Sequence, residues 1–156
     1  MKGDAEIIEV LNAVLTSELT AINQYFIHSK MCADWGYQAL KKKKYEESIE
    51  EMKHADAVID RILYLGGVPN MQRYNPVRVG EDAVEQHRVD LELEIDAVKR
   101  LNDGIKLCHE KGDAGSRDLL EKILASEEEG IHWLEAQLHQ VDEIGKPNYL
   151  AQQIRD

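Results

Sequence analysis

The chain is short of the residues that staple, break or embed a fold. Two cysteines among 156 residues, Cys32 and Cys108, form no CxxC pair and no regular framework. Reduced thiols in a cytoplasmic protein are the simplest reading, and a disulfide scaffold is excluded. Three prolines leave long stretches free of helix breakers. No apolar run approaches the ~18 residues that a membrane span requires, and the start Met1-Lys2-Gly3-Asp4-Ala5-Glu6 carries no signal-peptide apolar region. Positive charge is scarce: 19 Lys and Arg stand against 30 Asp and Glu, a formal net charge of -11. That balance argues against nucleic acid and favours cations or basic partners.

What is abundant is helical. Runs rich in Ala, Leu, Glu, Lys and Ile point to an all-α protein, and the length predicts one domain over residues 1–156, large enough for a core without staples. Helix α1 is expected over about 4–35, from the cap Asp4 to Gly36 as left-handed stop. Helix α2 covers about 39–65 before Gly66, Gly67 and Pro69; α3 covers about 82–111 before Gly112; α4 covers about 114–144 before Gly145 and Pro147. A short fifth helix, α5, is expected over 148–154. The run Lys41 to Lys44 reads as a solvated face.

The connection at 66–81 is long for a compact protein. Its sixteen residues reach roughly 50 Å when extended, against roughly 40 Å for a helix of about 27 residues. It can therefore run the length of a bundle and leave α2 and α3 parallel. Two short connections and one long α2–α3 crossover are the ferritin-like way of joining four helices.

The chemistry centres on Glu51-Met52-Lys53-His54, whose Glu-x-x-His spacing sets a carboxylate and an imidazole one turn apart. Alone, that pattern is common on wet helix faces. Here Glu51 is in phase with Ala55, Val58, Ile62 and Leu65, an apolar stripe. Each of the other helices repeats the anomaly. Glu18 interrupts the stripe of α1, Glu94 that of α3 and Glu127 that of α4. Glu18 and Glu51 are 33 residues apart, as are Glu94 and Glu127, so the halves read as pseudo-repeats of one helical hairpin. Four inward carboxylates cannot stay ionised and unpaired in a dry core. Two divalent cations would neutralise them, and carboxylates with imidazole suit iron or manganese, with zinc competing.

The chain resembles the bacterioferritins along essentially its whole length. The likeness rests on Ala21-Ile22-Asn23-Gln24-Tyr25-Phe26, Glu47-Ser48-Ile49-Glu50-Glu51-Met52-Lys53-His54-Ala55-Asp56, Arg61-Ile62-Leu63, Gly80-Glu81-Asp82, Ser116-Arg117-Asp118, Trp133-Leu134-Glu135 and Asn148-Tyr149-Leu150. It implies a hollow shell of twenty-four subunits, homo- or heteropolymeric, storing ferric mineral. It implies a di-iron ferroxidase centre using oxygen or peroxide. Glu18 and His54 would bind one iron, Glu51 and Glu127 bridge, and Glu94 bind the second. It further implies one b-type haem per subunit dimer, held by Met52 from each subunit, with a ferredoxin-type reductant for iron release. Apart from the resemblance, Tyr25 and Trp133 fall near the carboxylate level on α1 and α4, where they read either as accessory electron donors or as core aromatics with a polar tip, and Glu47 reads as an accessory gate for iron. Glu46 and Glu50 occupy places that carry His and Asp in some relatives, where an extra iron faces the cavity.

One departure stands out. The family's second iron also takes a His three residues after the α4 glutamate, and here that place is Gly130. Glu129 and His132 have the right spacing but lie on another face, and read as a solvated or interface pair. The second metal position is thus expected to be poor in protein ligands, completed by water and weaker than the first. Two alternatives follow: a catalytically impaired haem-bearing or structural shell subunit, and a small di-iron protein of the rubrerythrin kind. The lack of paired CxxC motifs weighs against the latter.

Overall fold

A computed structural model describes residues 1–155. Its helices are α1 (Ala5–Trp35), α2 (Gln38–Tyr64), α3 (Ala83–Glu110), α4 (Ala114–Ile144) and α5 (Lys146–Ala151). The four long helices start and stop within two residues of the expected places; α5 begins two residues earlier and ends three sooner. Asp4 caps α1 by accepting from Glu6 and Ile7 N–H, Asp82 caps α3 and Asp113 caps α4. Gly36 closes α1 at φ 87°, a conformation that a side chain resists. Among the described residues no helix is long and apolar enough to cross a membrane.

The first two helices form one hairpin and the next two another. The main core cluster lies at one end, around Ile7, Leu11, Leu15, Val58, Ile62, Leu101 and Leu120. A smaller cluster closes the other end, where α5 seats the fully buried Tyr149 beside Cys32 and Leu40. Gly104 brings α3 close to α1: an added Cβ would meet Val10 at 2.9 Å and Leu120 at 3.0 Å.

The long connection does run back along the bundle, and α1 carries a polar ladder that holds it. Asn12 bonds Val68 O and Asn70 N, Thr16 accepts from Arg73, Thr20 from Asn75 N, Gln24 from Arg78 N and His28 from Gly80 N. These α1 residues recur every four positions, so they line one face. They satisfy backbone groups of an extended segment that has no sheet partner.

The lysine run corrects the sequence expectation. Lys44 is fully buried, and its ammonium pairs with Asp90 at 2.5 Å and donates to His87 Nδ1 at 3.0 Å. The bonding order assigns the tautomers of two buried imidazoles. His28 accepts from Gly80 at Nε2, so its Nδ1–H donates to Asp90. His87 accepts from Lys44 at Nδ1, so its Nε2–H faces Tyr149 Oη at 2.8 Å, and that hydroxyl donates to Gln137 at 2.7 Å. Burial would raise the Asp90 carboxyl, but Lys44, His28 and Gln24 hold it down at about 2. Burial and the Lys44 charge keep His87 neutral.

Candidate metal centre

Between the apolar end and this polar network, the four helices bring their glutamates together. Each is placed by helix phase: Glu18 follows Val14 and Leu15, Glu51 precedes Ala55 and Val58, Glu94 precedes Ala97 and Leu101, and Glu127 lies between Ile123 and Leu134. Glu18, Glu51, Glu94 and Glu127 are 1, 2, 1 and 2% exposed, so none reaches water by turning outward.

His54 joins them. Its Nδ1 lies 3.1 Å from Glu127 Oε1 and 3.5 Å from both Glu18 Oε2 and Glu51 Oε2. One donor atom from each of Glu18, Glu51, His54 and Glu127 falls within 4.8 Å of all the others. Glu94 lies to the side, its Oε1 accepting from Tyr25 Oη at 2.6 Å.

Several of these atoms have no proper partner. Glu18 Oε2, His54 Nδ1, Glu94 Oε2 and Glu127 Oε1 are buried without a hydrogen bond. Orphaned polar atoms are rare in native interiors and ask for an ion or water. The charges ask for the same. Burial pushes the carboxyls of Glu18, Glu51 and Glu94 up, and neighbouring carboxylates add to the rise. Burial and Glu51 take Glu127 up to about 7. Burial alone would lower His54, but Glu127, Glu18 and Glu51 push it up to about 12. A divalent cation binding among these groups would therefore displace protons from them. Carboxylate oxygens with one imidazole suit iron, manganese or zinc.

The remaining sequence candidates fall in several places. Tyr25 is buried against Glu94. Trp133 stacks edge-on against His87 at 5.5 Å and lies under the ammonium groups of Lys43 and Lys44. Glu47 pairs with Lys43 at 3.0 Å, while the exposed Glu50 bonds Lys53. Glu46, Glu129 and His132 are exposed. Met52 is 52% exposed, as are Phe26, Tyr45 and Leu63 to similar degrees. Leu19, on the helix that carries Phe26, joins the core.

Sequence reasoning passed over Lys44, His28, His87 and Asp90. A signal existed: Lys44 is two turns before Glu51 and Asp90 one turn before Glu94, each in phase with its glutamate. At Gly130 the structure leaves space. A Cβ built there would meet nothing closer than Glu47 Oε2 and Glu94 Cδ, each at 3.9 Å.

Comparison with known proteins agrees with this arrangement. The ferritin-like domain family matches residues 8–144. The bacterioferritin BfrA of Mycobacterium tuberculosis is 50% identical over 152 residues, covering 97% of this chain and 96% of the relative. The bacterioferritin of Streptomyces coelicolor is 46% identical over 97% of this chain and 90% of its own length. That of Rhodobacter capsulatus is 46% identical over 96% and 92%. A four-helix bundle with acid groups meeting at its centre, matched along nearly its full length by such relatives, places the chain in the bacterioferritins, an iron-storing family of ferritin-like proteins.

Proposed function

We propose that the chain is a ferroxidase subunit of an iron-storage shell, taking up Fe(II), oxidising it to Fe(III) with oxygen or peroxide, and passing it to a mineral core. The observation that supports this most is the set of buried, partnerless donor atoms on Glu18, His54, Glu94 and Glu127. In this reading Glu18 and His54 hold one iron, Glu51 and Glu127 lie between two, and Glu94 takes the second. Tyr25, bonded to Glu94, is a redox-capable ring in direct contact with that carboxylate. The shell has twenty-four copies, is cytoplasmic, and buries the outward apolar side chains of α2 at subunit contacts. Met52 is exposed and soft enough to serve as an axial ligand. A haem b between two such residues would supply an electron path inward from a ferredoxin-type donor.

Oxygen uptake on adding Fe(II) to the metal-free protein tests the proposal. Rapid uptake in proportion to subunits is expected; uptake no faster than Fe(II) in buffer refutes it. Gly130 favours a second reading, in which the chain is an impaired subunit of a mixed shell. That reading predicts uptake only when a catalytically complete partner is present.

A further inference from the structure

The Gly130 gap is bordered by two carboxylates. The point where its Cβ would stand is 3.9 Å from Glu47 Oε2 and 3.9 Å from Glu94 Cδ. Glu94 is 1% exposed, with Oε1 committed to Tyr25 Oη and Oε2 unpartnered. Glu47 is oriented from the other side. Its Oε1 pairs with the Lys43 ammonium at 3.0 Å, and Lys43 in turn lies over the Trp133 ring at 5.2 Å.

The gap opens outward. A pocket of about 450 Å³ is lined by Gly130 and Glu47 together with Lys43, Glu46, Glu50 and Lys53. Lys43 and Lys53 are each paired with a glutamate, which leaves the pocket net acidic and attractive to cations. An imidazole at position 130 would fill the space between pocket and carboxylates; glycine leaves it clear.

We propose that Glu47 is a metal ligand in this chain, its Oε2 joining Glu94 across the space left by Gly130 to give the second metal position an all-oxygen set of protein donors. The inference rests on the metal-centre reading above. Lys43 acts as the group that orients the ligating carboxylate, a role such ligands ordinarily require. An oxygen-only position selects harder cations, Fe(II), Fe(III) or Mn(II), over zinc, whereas the position containing His54 tolerates both. Water completes the coordination from the open pocket.

Mn(II) alone is the probe. Its binding to the metal-free protein is counted by loss of the free-ion paramagnetic resonance signal, in wild type, Glu47→Gln and Glu47→Gln/Gly130→His. Two Mn(II) per subunit are expected in wild type. Glu47→Gln should keep the first and weaken the second at least tenfold. The double variant should recover the second, because an imidazole then replaces the lost oxygen, and should gain Zn(II) there. Unchanged second-site affinity in Glu47→Gln overturns the inference, as does a wild type that stops at one ion, which leaves the site at His54 standing. A wild type that binds no Mn(II) overturns both this inference and the metal-centre reading.

Discussion

Loading the centre with a divalent cation should expel protons, and their number is set by the geometry. Zn(II) serves as the perturbation because it has no redox chemistry to obscure the count. In the metal-free protein His54 is imidazolium, its pKa pushed up to about 12 by the carboxylates around it. It must lose that proton before it can ligate, which contributes about one proton anywhere between pH 6 and 8. Glu127, raised to about 7, is protonated to a larger extent at pH 6 than at pH 8. Glu18, Glu51 and Glu94 are raised as well and can only add to the total. Release should therefore be at least about one proton, and larger at pH 6 than at pH 8. The apparent affinity should climb by at least about one decade per pH unit, most steeply near pH 6. Calorimetric titrations in buffers of different ionisation enthalpy give the count directly. Glu127→Gln should remove much of the pH-dependent part. Proton release near zero at both pH values, with affinity independent of pH, would refute the picture of a protonated cluster waiting for a cation.

Three further outcomes follow from other parts of the molecule. Lys44→Met leaves Asp90 as a buried carboxylate facing only His28 and Gln24, and should cost about 3–5 kcal/mol by denaturant unfolding. Lys44→Met/Asp90→Leu should recover much of that loss. Since Asp90 is held at about 2 in the folded chain, its contribution is present above the ordinary carboxyl pKa and is lost as pH falls towards 2. The Lys44 variant should accordingly unfold at a higher pH in acid titration. Gly80→Ala would place a methyl group against Gln86 N and 2.7 Å from Gln86 Cα; expulsion of the connection from α3 should lower the thermal midpoint and break the Gly80–His28 bond. On the proposal that Met52 holds a haem, Met52→Leu should leave the metal-binding count intact and abolish haem absorption bands, and bands that persist would remove Met52 as the ligand.

Sequence alone determined the helices, because their signals are local. The caps Asp4, Asp82 and Asp113 and the stops Gly36 and Gly112 act within one turn of the residues they terminate. Sequence also exposed the four glutamates, since an acid in phase with an apolar stripe shows in the pattern before any fold is known. Tertiary structure alone decided what those positions meet. Lys44 read as one of four solvated lysines because burial of an ammonium depends on Asp90 and His87, more than forty positions away on α3. The ladder on α1 was equally hidden: Asn12, Thr16, Thr20, Gln24 and His28 are unremarkable until an extended segment lies against them. Gly130 drew notice only through the family resemblance, which expects a His there, and that Glu47 and Glu94 border the space beside it follows only from the packing of α2, α3 and α4. Helix phase is a property of one segment, whereas the partner of a buried charge belongs to the fold that brings two segments together.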